Sequence, residues 1–108
     1  MEKIVEQGRL YDFYGELLTD HQKRVYEAAV YEDLSLSEIA EREGISRQGV
    51  HDLLRRVTNT LKSYEDRLHM IARFDRISAS LGELKQTVPA DADRRIFGII
   101  ERIEEDLQ

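Results

Sequence analysis

The sequence predicts an all-α protein, a helix–turn–helix bundle followed by a C-terminal helical extension. Three observations lead there. Apolar residues recur at spacings of three and four, and no stretch alternates apolar and polar residues as a half-buried strand would. Glycine and proline are sparse, with six Gly and one Pro. Helix-start signals punctuate the chain at Thr19, Ser35 and Ser46, and Gly44 is placed to end one helix just before the next begins.

The first helix is expected over about Glu2 to Leu18, with Leu10, Tyr14 and Leu17 or Leu18 on one face. Gly8 and Gly15 weaken it, each by roughly 1 kcal/mol against Ala. Thr19-Asp20-His21-Gln22 reads as a capping box, in which the threonine hydroxyl accepts a backbone N–H and the glutamine reaches back to the cap. The helix it opens turns Val25, Ala28 and Ala29 inward and fades near Tyr31. Ser35-Leu36-Ser37-Glu38 is a second capping box, opening a short helix through about Glu43. Gly44 supplies the positive φ that ends it, Ile45 follows as a buried turn residue, and Ser46 caps a new helix from Arg47.

Val50, Leu53, Val57, Leu61, Tyr64, Leu68 and Ile71 form an apolar stripe on that helix, which could run on to Leu84. A helix of about 35 residues is unusual in a small domain, so a break is expected at Ser63-Tyr64-Glu65-Asp66. Val88-Pro89-Ala90 ends the region. Asp91 is then expected to cap a last helix whose Ile96, Ile99 or Ile100, Ile103 and Leu107 make an apolar seam. Packing on the chain's own earlier helices would cover the seam. A homodimer would cover it too, and is expected because so short a chain has few other surfaces to offer. The organisation expected is residues 1–67 for the N-terminal helices and the helix–turn–helix (about 35–56). Residues 68–108 then form an extension that is part of the same compact unit or a dimerisation element.

Composition limits the function. Hydrophobic residues make up 41% of the chain, enough for a core, and the absence of Cys excludes disulfides, thiolate metal sites and thiol nucleophiles. The N-terminal residues lack the apolar core of a secretory signal, and no apolar run approaches the ~20 residues that span a bilayer. A cytoplasmic, bacterial protein without membrane insertion is expected. The net charge of −6 runs against a dedicated nucleic-acid binder, whose affinity comes largely from phosphate contacts. Its distribution matters more than its sum. Residues 34–67 carry six acids and six bases, whereas residues 1–33 carry eight acids and four bases.

That balanced middle segment holds the helix–turn–helix. Ala40 is the small residue where the two helices cross, Gly44 makes the turn, and Ile45 is the apolar residue after it. Leu36 and Ile39 supply core positions on the first helix, Val50 and Leu53 on the second. A recognition helix points its N-terminal residues into a major groove. Arg47, Gln48, His51 and Asp52 would then meet base edges, with Arg55 one turn later, while Ser46, Arg56 and Lys62 suit phosphates or another protein. The plainer alternative is a solvated helix face paired with nearby acids. Asp52 beside phosphates, and Gly49 where a contacting side chain is expected, both argue against strong DNA binding.

No catalytic constellation is present in the sequence. His21, His51 and His69 lie far apart without paired ligand spacing, and there is no Gly-rich phosphate loop. Ser35, Ser37 and Ser46 serve as caps and helix-surface residues. Tyr11, Phe13, Tyr14, Tyr26, Tyr31 and Phe74 stand at spacings that suit core packing better than base stacking. A non-enzymatic protein without metal or cofactor is expected.

Leu34 to Leu54 resembles region 4 of bacterial sigma factors, which reads the −35 promoter element; the fold implied is a sigma region 4-like, winged-helix/HTH-like bundle. The chain departs from that pattern at Gly49, where sigma factors carry Arg, and at Asp52, where Gln is usual. A closer resemblance runs from about residue 10 to 70. Leu10-Tyr11-Asp12-Phe13-Tyr14, Leu17-Leu18-Thr19-Asp20-His21-Gln22 and Leu36-Ser37-Glu38-Ile39-Ala40 look like the YlxM family of small helix–turn–helix proteins of Gram-positive bacteria. Ser46-Arg47-Gln48-Gly49-Val50-His51-Asp52 and Tyr64-Glu65-Asp66-Arg67-Leu68-His69-Met70 continue it. The positions of Gly49 and Asp52 depart from the sigma pattern within that family too. The resemblance implies a regulatory role in the signal recognition particle (SRP) pathway, with the particle's GTPase subunit, the SRP RNA or both as partners. Two other readings stand beside it. One is a dimeric transcription regulator reading palindromic DNA through Arg47, Gln48 and His51. The other is a protein–protein adaptor that uses the apolar seams.

Overall fold

The computed structural model describes residues 2–108, and the side chains of residues 5–108. Among them are six α-helices, one short 3₁₀ turn and no strand, divided into a unit ending at His69 and a unit Met70–Gln108.

In the first unit, α1 spans Glu2–Tyr14 and stops earlier than its apolar pattern suggests. The Tyr11 ring lies so close to Gly15 that a Cβ there would stand 3.0 Å from it. Glycine lets the chain tighten into a 3₁₀ turn, Gly15–Leu17, and leave it extended at Leu18. Leu10, Tyr14 and Leu18 are buried as a result, and Leu17 points outward.

Helix α2 (Asp20–Val30) and α3 (Leu36–Glu43) both begin with complete capping boxes. Thr19 Oγ1 accepts from the Gln22 amide at 3.2 Å while the Thr19 amide donates to Gln22 Oε1 at 2.9 Å. At Ser35 and Glu38 the reciprocal bonds are 3.1 and 3.0 Å. Gly44 then adopts φ 70°, a left-handed conformation that costs glycine nothing, and the Ile45 amide closes back onto the Ala40 carbonyl at 3.1 Å. Ile45 is not the buried turn residue the sequence suggests, for it is 37% exposed. Its side chain lies along Gly49 on the flank of the next helix, and Ile39 and Val50 fill the crossing instead.

Helix α4 (Arg47–Leu68) is the long axis of this unit. Val25, Ala28, Ile39, Ala40 and Val50 form a core where α2, α3 and α4 meet, edged by Leu34, Leu36 and Leu53. Further along, Val57 and Leu61 are buried, and so is Thr58, whose hydroxyl meets Tyr26 Oη at 3.1 Å and accepts from Gln7 at 3.4 Å. Tyr26 in turn stacks on Tyr11. The break expected at Ser63–Asp66 is absent there, because Ser63 Oγ donates to the Thr60 carbonyl at 2.7 Å and so sits within the helix rather than capping a new one. The interruption comes at His69, in the left-handed region with φ 54°.

In the second unit, α5 (Met70–Thr87) and α6 (Arg94–Asp106) enclose Leu81 and Ile100, and Lys85 Nζ reaches Glu104 at 2.6 Å. The cap of α6 is Asp93 rather than the expected Asp91. A turn held by the Ala92 amide on the Pro89 carbonyl delays the helix, and Asp93 Oδ1 accepts from the Arg95 amide at 2.9 Å. No helix of the described residues is long and apolar enough to cross a membrane.

Candidate nucleic-acid interface

The turn between α3 and α4 decides where the predicted contact residues stand. Ser46 is the N-cap of α4, and its Oγ accepts from the Gly49 amide at 2.9 Å, so the hydroxyl is committed to the helix end. That cap also explains Gly49. A Cβ at this position would come 3.1 Å from Ser46 Oγ, and the space read from sequence as a gap in a contact surface is occupied by the cap and the Ile45 side chain.

Arg47, Gln48, His51 and Arg55 are exposed along the outer face of α4, with Asp52 among them and half covered. They are not independent. Gln48 Nε2 donates to Asp52 Oδ1 at 3.0 Å, His51 Nδ1 lies 3.6 Å from the same oxygen and Arg55 Nη2 3.9 Å. The Gln48 hydrogen bond, aided by His51 and the Arg55 charge, holds the Asp52 carboxyl below its ordinary range. The amide best suited to reading adenine is thus bound to a carboxylate one turn on.

Arg56 is exposed but lies about 100° around the helix from Arg55, so these two arginines do not form one patch. Lys62, two turns beyond Arg55, instead shares a groove with it, and stands 3.9 Å from Glu6. The groove has a volume of about 370 Å³ and is lined by His51, Leu54, Arg55, Thr58, Asn59 and Lys62 of α4 together with Gln7 of α1. The structure therefore brings His51, Arg55 and Lys62 together and leaves Arg56 and Ser46 outside. Gln7 and Asn59 were not legible as site residues. Asn59 follows Arg55 by one turn, a spacing that could have shown it, but nothing in the sequence places Gln7 against α4.

A second cluster backs the turn from the α2 side. Glu43, at the C-terminal end of α3, where the helix dipole disfavours an acid, is bonded by Arg24 at 3.0 and 3.3 Å. Arg42 Nε lies 3.7 Å from it and His21 Nε2 3.5 Å. Its side chain is only 7% exposed, and these neighbours, Arg24 foremost, hold the carboxyl below its usual range. Among the described residues no group of His, Asp or Glu is arranged to hold a metal ion.

The helix pair, its Gly44 turn and the capped α4 are those of a helix–turn–helix, and comparison with known sequences agrees. Residues 1–103 match the model of the family described as "Putative helix-turn-helix protein, YlxM / p13 like", UPF0122. The chain belongs to the UPF0122 family. The UPF0122 protein of Thermoanaerobacter sp. (strain X514) is 39% identical over 103 residues, 92% of this chain and 88% of the relative. That of Desulforamulus reducens is 47% identical over 84 residues, covering 78% and 72%, and that of Halalkalibacterium halodurans 33% identical over 105 residues, covering 96% of both. The UPF0122 match extends into α6, to residue 103, beyond the blocks near residues 10–70 that carry the resemblance in sequence.

Proposed function

We propose that this chain is a non-enzymatic, cytoplasmic regulatory protein of the SRP pathway, and that the α4 face docks on the particle's RNA. The observation that carries the choice of ligand is the pairing of Gln48 with Asp52 next to a groove of cations and amides. Base-edge reading in a duplex needs free bidentate side chains in the first turns of the recognition helix. Here Asp52 engages Gln48 and attracts His51 and Arg55. Arg55, Lys62, Gln7 and Asn59 supply charge and hydrogen-bond donors, which suit a phosphate–ribose backbone followed by shape. The partner pathway comes from the family likeness.

A dimeric DNA-binding regulator is the second reading, supported by the exposed Arg47 in the first turn of α4. A titration separates the two. The full chain is mixed at about 100 mM salt, where phosphate contacts remain measurable, with SRP RNA, with the SRP GTPase subunit and with a random duplex DNA library. Saturable binding to the RNA, without enrichment of any duplex, is the expected result. Charge reversal by Arg55→Glu with Lys62→Glu is expected to weaken it at least about tenfold and reduce the salt slope by roughly two. Enrichment of a palindromic duplex would replace this reading with the transcription regulator. Binding to the GTPase subunit alone, unaffected by the reversal, would replace it with the adaptor.

A further inference from the structure

The groove between α1 and α4 offers more than cations. Its α4 wall is a single helix stripe: His51, then Leu54 and Arg55, then Thr58 and Asn59, then Lys62, each step one turn on. Arg55 and Lys62 are thus about 10 Å apart along the helix axis, with Thr58 and Asn59 between them. Thr58 is buried, and its hydroxyl is already engaged by Tyr26 at 3.1 Å and by Gln7 at 3.4 Å. That bond positions Gln7, which gives an N–H to Thr58 and keeps its carbonyl oxygen as an acceptor. Asn59 is exposed and bonded to no other described side chain, so it keeps both donor and acceptor. Leu54 is the apolar member of the lining.

Phosphate oxygens only accept hydrogen bonds, so two amide carbonyls and a leucine add little to holding a backbone. A nucleobase matches them better. Its edge carries donors and acceptors side by side, the pattern that Asn and Gln amides meet, and its faces are apolar. In a continuous RNA duplex those edges are paired or lie in a groove that side chains cannot enter, whereas an unpaired nucleotide can be splayed out of the strand. The spacing of the cations suits such a nucleotide. Arg55 and Lys62 take the phosphates on its two sides, and the base passes between them toward Gln7, Asn59 and Leu54. The imidazole of His51 and the guanidinium of Arg55 are planar groups on which a base can stack. Glu6 is the one acid found near these cations, 3.9 Å from Lys62, and it leaves Arg55 alone. We infer that the groove is a pocket for one unpaired base, so that the RNA met by α4 is a bulge or loop rather than continuous duplex. The inference rests on the RNA reading above.

Two blunt-ended RNA duplexes of one sequence test it, one fully paired and one with a single extra adenosine bulged from one strand. Each is titrated with the full chain at about 100 mM salt. The bulged duplex is expected to bind at least about tenfold more tightly, within what contacts to one base supply. With 2-aminopurine as the bulged base, its emission should change on binding. Ala is the better helix former, so Asn59→Ala keeps α4 and should bring the two duplexes within about twofold of each other. Equal binding of both duplexes by the unaltered chain would overturn the pocket and leave the backbone reading standing. A bulge preference that survives Asn59→Ala would overturn it too, since the base would then be held elsewhere. Absence of binding to either duplex would do the same, while the SRP RNA titration reports separately on backbone docking.

Discussion

Two carboxylates, Asp52 and Glu43, are both held below their ordinary range, and they do different things. Asp52 draws Gln48, His51 and Arg55 together on the face proposed to meet phosphates, and is expected to lower the affinity of that face. Asp52→Asn removes one negative charge and loosens the three neighbours. It is expected to tighten RNA binding roughly three- to tenfold at about 100 mM salt, with a steeper salt dependence, in the same titration. Glu43 is a fold residue. Its folded-state pKa lies below the ordinary 4.5, chiefly through the Arg24 hydrogen bond, so its stabilisation is present above 4.5 and is lost as pH falls through the lower folded value. The urea midpoint should therefore drop on acidification below about pH 4.5, and Glu43→Gln should show a smaller drop. The place of Asp52 on the outer face of α4 was legible in the sequence, and so was its four-residue spacing from Gln48. The bond between them was not, because it depends on which rotamers the two exposed side chains adopt.

At the scale of the element, helix beginnings were readable and helix ends less so. The boxes at Thr19/Gln22 and Ser35/Glu38 need only residues three apart, and both form as the sequence says. Ser35→Ala should accordingly cost about 1 kcal/mol in chemical denaturation, with Thr19→Ala similar. The end of α1 depends on an aromatic ring from the preceding turn lying on Gly15, and the end of α4 on a non-glycine residue entering the left-handed region at His69. Neither leaves a strong local signal. His tolerates that conformation better than branched residues do. His69→Val is expected to destabilise by about 1–2 kcal/mol, and His69→Gly to be neutral or stabilising, in the same assay. The placement of Asp93 rather than Asp91 as the cap of α6 belongs to the same class. Which of two nearby aspartates caps is settled by the Pro89–Ala92 turn.

At the scale of the molecule, the all-helical class followed from the spacing of apolar residues, and the helix–turn–helix from Ala40, Gly44 and the residues flanking them. The groove between α1 and α4 was out of reach, because it joins Gln7 to residues more than forty positions away. Elsewhere, neighbours in sequence are mostly neighbours in space: α2 on α3, α3 on α4, and α5 on α6. The link Gly44–Ile45–Ser46 makes the α3–α4 pairing almost as local as a single helix. Loop closure there costs little entropy, so nothing slow stands between helix formation and docking. No disulfide has to form. The main refolding phase after a denaturant jump should fall within microseconds to milliseconds, leaving a newly made chain little time with its core uncovered.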